Sequence, residues 1–333
     1  VLHLNQTAAE YCYHLVKETP QKEAVRQIAK RYSISQQEVS ADFEELKERI
    51  NTLISTEDID PVSYLGFERQ DLYSGSLSAP YRLDSALTYR TAAGGESDAP
   101  AERVKHELNT AEWQTILDKT WQAGIPQVIF TGGEATLRDD LPALVAYAQQ
   151  LGQVSGLLTD GLRLADKTYL NELLQKGLDH MMLVFDPANE ALWTTLTDIL
   201  DADIYLCVHV TVNSAEAADW RNLVQRLAQT GVYALSLSTV SPDYKNALLA
   251  ASQAASEYGL KLIWDLPVPY SHLNPVALEN RDDEEYFADG AGKTRLYVEP
   301  DGDVLPAQGM ADQILGNLLN DPWELIWQKC PKA

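Results

Sequence analysis

The chain has 333 residues, 45% of them hydrophobic, and its 49 acidic and 26 basic residues give a net charge of −23. This length predicts two or three domains, and the negative field excludes a nucleic-acid binder and disfavours contact with anionic membranes. With no apolar run near the ~20 residues of a membrane helix and only three scattered cysteines, we expect a cytoplasmic protein without disulfides or a zinc site.

Residues 1–54 predict a module of three helices. Ser35 and Glu38 have the spacing of a capping box at the start of the third helix. Its buried face is predicted from the helical spacing of Val39, Phe43, Leu46, Ile50 and Leu53. Residues 55–80 are rich in Gly, Ser, Asp and Pro, which predicts a linker.

From residue 81 onwards, short apolar runs alternate with amphipathic helical patterns. This alternation predicts βαβ units and a parallel sheet, and six or seven such units favour a partial barrel over residues 81–270. The predicted strands are Leu83–Thr88, Val128–Thr131, Val154–Leu158, Met181–Phe185, Ile204–Val210, Ala234–Leu237 and Leu260–Trp264.

Residues 271–333 break the alternation and predict a small α+β extension. Its strands lie on either side of a turn at Asp301 and Gly302, and a helix containing Trp323 and Trp327 follows. The fold class is therefore α/β: a (β/α)6-type partial TIM barrel between a three-helix module and a small C-terminal extension.

The loop after the second barrel strand carries the residues with the clearest chemical potential. Gly132 and Gly133 would let the backbone approach a ligand closely, and Glu134 can accept hydrogen bonds from a cationic amine. A plain tight turn between strand and helix explains the same residues equally well.

The segment Phe130-Thr-Gly-Gly-Glu-Ala-Thr-Leu-Arg138 resembles the GGE motif of radical S-adenosylmethionine (SAM) proteins, which binds the methionine amino group of SAM. Residues 81–90 resemble the first strand of that family, and Thr159-Asp-Gly161 resembles its third-strand Thr-Asn-Gly. Residues 295–327 resemble the SPASM or twitch extension of its peptide-modifying members. Residues 1–54 resemble the helical part of the peptide chaperone of pyrroloquinoline quinone biosynthesis.

The resemblance implies a SAM pocket, here vestigial, at the open end of the barrel. The positions that it assigns to this pocket are Gly132, Gly133, Glu134, Asp160, Asp186, Asn213 and Ser238. For the last three of these positions, helix capping or loop hydrogen bonding is the stronger interpretation of each residue taken singly. We interpret His209 as a core histidine with its hydrogen bonds satisfied.

The sequence departs from the family at the ligands of its iron–sulfur cluster. The three cysteine positions of CxxxCxxC are occupied by Thr91, Gly95 and Asp98, and Ala307 follows Pro306 where the extension usually has a cysteine. Thiolates hold a [4Fe–4S] cluster, and these side chains cannot replace them. We therefore expect a degenerate member with no cluster, no other metal and no radical SAM activity.

Three functions fit this sequence. The first is a non-catalytic scaffold in ribosomal peptide modification, with a precursor peptide or an active radical SAM homologue as its partner. The second is a cluster-independent enzyme, or a binder of SAM or of an amino-acid-like ligand at the GGE loop. The third is a folded relic without a ligand, or an engineered cluster-free design; the rewriting of the whole loop at 91–98 favours natural degeneration.

Overall fold

The computed structural model describes residues 6–17, 19–32, 34–56, 64, 77–91, 104, 106–202, 204–263 and 290–330. The chain divides into two compact units, Val1–Leu72 and Tyr73–Ala333. The finer boundaries at residues 54, 80 and 270 stay predictions.

The first unit contains three helices: α1 (Gln6–Val16), α2 (Gln21–Tyr32) and α3 (Gln36–Ser55). The hydroxyl of Ser35 accepts a hydrogen bond from the Glu38 N–H at 3.1 Å, which caps α3 as predicted. The core of the unit comes from all three helices and contains Tyr11, Ala24, Val25, Ile28, Ala29, Val39 and Phe43.

The predicted buried face of α3 is confirmed only in its first half. Val39 and Phe43 are buried and Leu46 packs against them, whereas Ile50 and Leu53 are only half-buried. The helix therefore extends beyond the small core that the three helices share.

The second unit contains a ten-stranded sheet in the order β10-β9-β8-β1-β2-β3-β4-β5-β6-β7. Strands β1 to β7 pair in parallel, and β8 pairs in parallel with β1, whereas β9 and β10 are antiparallel. The strands are β1 (Arg82–Thr88), β2 (Gln127–Gly132), β3 (Val154–Thr159), β4 (His180–Val184), β5 (Tyr205–Val212), β6 (Ala234–Thr239), β7 (Lys261–Leu262), β8 (Arg295–Val298), β9 (Asp303–Leu305) and β10 (Gly316–Asn317).

Seven further α-helices of this unit are described, and six of them alternate with the parallel strands. The α4 cap shows how local sequence fixes such a boundary, because Asn109 accepts from the Glu112 N–H while the Glu112 carboxylate accepts from the Asn109 N–H. The helices are α4 (Thr110–Gln122), α5 (Leu141–Leu151), α6 (Lys167–Gln175), α7 (Glu190–Leu200), α8 (Ala217–Thr230), α9 (Lys245–Glu257) and the C-terminal α10 (Trp323–Lys329).

The two faces of the parallel sheet bury different residues. One face packs with the helices into the main core, which includes Leu157, Val208, Val210, Leu235 and Leu237. Successive side chains on a strand point to opposite faces, so the other face forms a separate interior cluster. That interior cluster contains Ile129, Leu158, Met182, Cys207 and Ala234.

These features confirm the predicted α/β class: a parallel, partial TIM-barrel-like sheet with an antiparallel C-terminal extension. The seventh predicted strand, Leu260–Trp264, is reduced to Lys261–Leu262, and Trp264 lies outside the described residues. Within the described part of the chain, no helix has the length and apolar character needed to cross a bilayer.

Candidate functional site

The two glycines of the loop after β2 lie directly against the end of β1. The N–H of Gly133 donates to the carbonyl of Thr88 at 2.7 Å, and the N–H of Glu134 donates to the carbonyl of Arg90 at 2.8 Å. A Cβ at Gly132 would lie 2.2 Å from the Thr88 oxygen, and one at Gly133 would lie 2.2 Å from the Arg90 oxygen. Close backbone packing therefore requires glycine at both positions, as the tight-turn interpretation expects.

The Glu134 carboxylate ties the β2 loop to the end of β3. The side chain is only 3% exposed. One of its oxygens accepts from the Thr136 N–H at 2.9 Å, the Thr136 hydroxyl at 2.5 Å and the Thr159 hydroxyl at 2.9 Å. The other oxygen accepts from the Asp160 N–H at 2.7 Å. Four donors from the protein thus fix the position of this carboxylate.

Glu134 and Asp160 form a pair of carboxyl groups at the carboxyl ends of β2 and β3. Burial and then the neighbouring charge of Asp160 raise the pKa of Glu134 to about 7, and burial also raises the pKa of Asp160. Asp160 accepts from the Leu162 N–H at 2.9 Å, which holds its side chain in place. A pair of this kind can hold a shared proton or accept hydrogen bonds from a cationic group.

Of the positions assigned to the lost cluster, the structure describes Thr91 and Ala307. Thr91 is half-buried just beyond β1, and Ala307 is buried after β9, whereas Gly95 and Asp98 lie outside the described residues. The Cys330 thiol of the same C-terminal extension is also buried, and this burial raises its pKa to about 12. A thiol with such a pKa stays protonated at neutral pH in the absence of a metal.

The last three predicted pocket residues occupy neighbouring loops and strand ends. Asp186 accepts from the Ala188 N–H at 3.0 Å, the local loop hydrogen bond that the alternative interpretation expects. Asn213 is exposed after β5. The Ser238 hydroxyl lies 3.0 Å from Nε2 of His209. Hydrogen bonds therefore join Glu134 to Asp160, whereas Asp186 and Ser238 contact other groups.

Arg138 is an important residue of this region whose role the sequence did not predict. It is 8% exposed, and its guanidinium donates to the carbonyls of Leu87 at 3.2 Å and Leu108 at 2.8 Å. It also binds both carboxylate oxygens of Asp140, at 2.9 and 2.7 Å. Arg138 therefore clamps the end of β1, although the only sequence signal for it is its place at the end of the GGE segment.

An acidic hairpin is the only group of described residues with the spacing of metal ligands. Glu299, Asp301 and Asp303 each offer an oxygen within 4.8 Å of the others. Glu299 accepts from the Tyr89 hydroxyl at 2.8 Å, and Asp303 accepts from the Asn317 amide at 2.9 Å. These hydrogen bonds give at least two of the carboxylates a structural role.

Sequence comparison finds relatives among enzymes that act on a peptide, although no family model matches the chain. The PqqA peptide cyclase of Streptomyces rochei is 27% identical over 254 residues, which are 68% of this chain and 70% of the relative. The PqqA peptide cyclase of Gluconobacter oxydans is 38% identical over 117 residues, or 34% of this chain and 32% of the relative. The second match thus spans about a third of either protein.

Structural comparison finds solved proteins with a similar fold. SuiB of Streptococcus suis bound to S-adenosylmethionine matches with a TM-score of 0.57 at 14% identity, covering 98% of this chain and 82% of SuiB. The complex of SuiB with its precursor peptide SuiA also has a TM-score of 0.57, at 13% identity and with the same coverage. AnSMEcpe with bound AdoMet gives 0.55 at 12% identity and covers 75% of this chain and 77% of that enzyme.

The sequence matches and the structural matches both include proteins whose names or bound ligands refer to a peptide. The predicted resemblance to peptide-modifying proteins agrees with these matches over most of the chain, whereas the resemblance of the GGE segment stays a prediction. The chain is thus similar in sequence to the PqqA peptide cyclases and similar in fold to SuiB and anSMEcpe.

Proposed function

We propose that this chain does no radical chemistry and serves as a non-catalytic, peptide-binding scaffold or partner in the modification of a ribosomal peptide. The observation that carries the proposal is the sequence at the cluster position. Thr91, Gly95 and Asp98 stand where the resemblance places three cysteines. The rest of the barrel keeps its strands and helices.

The chemistry of the three replacements supports the absence of a cluster. A [4Fe–4S] cluster is bound by soft thiolates, whereas threonine is a poor iron ligand, glycine has no side chain and one carboxylate cannot replace three sulfurs. Without the cluster there is no electron source for the reductive cleavage of SAM.

The relatives support peptide as the ligand class. One of the SuiB structures contains the precursor peptide SuiA, and one anSMEcpe structure contains the Cp18Cys peptide. The likeness to SuiB extends over 98% of this chain. The partner of this chain would therefore be a precursor peptide, or an active radical SAM homologue that carries one.

Anaerobic reconstitution with iron and sulfide tests the loss of the cluster. We expect no stoichiometric iron in the natural chain and no 5′-deoxyadenosine from SAM under reductant. The triple variant Thr91→Cys, Gly95→Cys, Asp98→Cys is the matched control, and we expect it to bind more iron. A brown natural protein that forms 5′-deoxyadenosine would refute the proposal.

A binding experiment tests the scaffold role. Fluorescently labelled precursor peptides encoded beside the gene would be titrated against the full chain. We expect saturable binding by at least one of them, or co-elution of the chain with an active homologue encoded nearby. Failure to bind any of these partners would contradict the scaffold role and would favour a folded relic without a ligand.

The carboxyl pair favours a second candidate, a cluster-independent binder or enzyme for SAM or an amino-acid-like ligand. The resemblance assigns the amino group of methionine to the GGE motif, and Asp160 adds a second carboxyl group whose charge acts on Glu134. Calorimetric titration with SAM distinguishes the candidates, because saturable heat favours this function and its absence favours the scaffold.

A further inference from the structure

A histidine on β5 lies between two serines of β6. Nδ1 of His209 is 3.0 Å from the Ser236 hydroxyl, and its Nε2 is 3.0 Å from the Ser238 hydroxyl. The Thr211 hydroxyl lies 3.4 Å from both Nε2 of His209 and the Ser238 hydroxyl. Both ring nitrogens therefore contact hydroxyl groups that belong to consecutive inward-facing positions of one strand.

This cluster lies on the interior face of the barrel, where Ser236 is buried and Ser238 is nearer to solvent. His209 and Ser236 follow Cys207 and Ala234 by two residues on their strands, so they share the interior face of that cluster. His209 is 1% exposed and Ser236 is 6% exposed, whereas Ser238 is half-buried. The imidazole thus lies behind the last inward-facing serine of β6, at the end of the strands where barrels of this kind bind ligands.

We propose that Ser238, His209 and Ser236 form an acyl-transfer centre that takes carboxylic esters. Ser238 is the nucleophile and His209 is its general base. Ser236 is a positioning residue, because its hydroxyl can accept a hydrogen bond from the Nδ1–H of His209 and so holds the ring with Nε2 towards Ser238. A nucleophile in hydrogen-bond reach of a base that a third group orients is the arrangement that covalent catalysis requires.

The reaction forms a bond between Ser238 Oγ and the carbonyl carbon while the proton of the hydroxyl moves to Nε2 of His209. The bond to the leaving alkoxide then breaks, and the alkoxide takes that proton from the imidazolium. Water then attacks the carbonyl carbon of the acyl-serine while one of its protons moves to Nε2 of His209. The bond to Ser238 Oγ breaks, Ser238 takes that proton from the imidazolium, and the carboxylic acid is released. Thr211 is in position to donate to the oxyanion, beside the attacking oxygen.

Because Ser236 is neutral, we expect a low rate of ester hydrolysis. An imidazolium backed by a hydroxyl is less stabilised than one backed by a carboxylate, so we expect slow turnover and a clear signal only in covalent trapping. The inference goes beyond the proposed function and does not rest on it, because it needs neither a peptide nor a cluster.

The test is covalent labelling of the full chain with a fluorophosphonate, followed by peptide mass mapping, together with p-nitrophenyl acetate hydrolysis. We expect one label, on Ser238, that is abolished in Ser238→Ala. In His209→Gln the labelling rate should fall by about 100-fold or more. Ser236→Thr should retain more labelling than Ser236→Ala. Ser256→Ala, an exposed α9 serine, is the matched control and should label at the natural rate.

Two outcomes would overturn the inference: no label on Ser238 in the natural protein, or an unchanged labelling rate in a folded His209→Gln variant. If that variant fails to fold by circular dichroism, the site of the label in the natural protein and its loss in Ser238→Ala decide the matter. Because peptide binding is measured separately, a failed label leaves the scaffold proposal standing.

Discussion

Asp160→Asn tests the electrostatics of the carboxyl pair with the smallest change in shape. Asparagine restores the Thr-Asn-Gly that the third strand resembles, and its side-chain oxygen can still accept from the Leu162 N–H. Its amide can also donate to Glu134, where the natural aspartate places a second negative charge. The substitution thus replaces a repulsion with a hydrogen bond.

The magnitude follows from the pKa of Glu134. A rise from 4.5 to about 7 corresponds to roughly 3 kcal/mol at about 1.4 kcal/mol per pKa unit, and burial is its larger cause. We assign about 1 kcal/mol to the charge of Asp160, because it is the second cause and its side chain is partly exposed. A raised carboxyl pKa stabilises the fold fully below pH 4.5, and this contribution is lost as the pH rises through about 7.

Urea unfolding at pH 5 and pH 8 measures the effect. We expect the variant to have nearly the natural free energy of unfolding at pH 5 and to be about 1 kcal/mol more stable at pH 8. Equal stability of the two proteins at pH 8, or the same loss of stability between the two pH values, would refute the coupling between Glu134 and Asp160.

Three further substitutions or labels test the surroundings of the site. Gly132→Ala places a Cβ 2.2 Å from a β1 carbonyl at φ +124° and should lower the free energy of unfolding by about 3 kcal/mol. Gly231→Ala, at φ +104° with open space around the new Cβ, should lower it by about 1 kcal/mol. Similar losses in urea unfolding would contradict the steric argument. Arg138→Met should lose about 3 kcal/mol because it leaves buried carbonyls and Asp140 unpaired, whereas Arg221→Met, at a surface ion pair with Glu257, should lose much less. Equal losses would show that the clamp does not matter. Burial raises the pKa of the Cys207 thiol to about 12, so iodoacetamide at pH 8 should modify Cys207 only after unfolding, which mass spectrometry of its peptide measures. Rapid labelling of Cys207 in the native protein would contradict its burial.

The strands and helices could be predicted because their signal is local. The apolar run Val154–Leu158 is β3 with one further residue, and Ser35 caps α3 as its spacing from Glu38 predicts. Periodicity and capping residues act over a few positions, so one sequence is enough to read them. The shortening of β7 shows the limit, because an apolar run does not fix how far a strand pairs.

The contacts that build the site could not be predicted because they join distant positions. Glu134 binds groups 25 and 26 residues away, and Arg138 reaches carbonyls 30 and 51 residues away. The place of β8 beside β1 is a similar case, because the pairing partner of a strand is set by the whole sheet. Sequence resemblance named Glu134 as a site residue, but only packing shows that four protein donors occupy its carboxylate.

The glycines of the GGE segment do not by themselves distinguish a SAM binder from a scaffold. A side chain at Gly132 or Gly133 would collide with the backbone of β1 whether or not a ligand binds, so folding alone requires both residues. A titration of the Asp160→Asn variant does distinguish them, because asparagine is the residue that the resemblance places at this position of a SAM pocket. In a SAM binder, the variant should be more stable at pH 8 and should still give saturable heat with SAM. In a scaffold, the same variant should gain the stability, and neither protein should give heat when titrated with SAM.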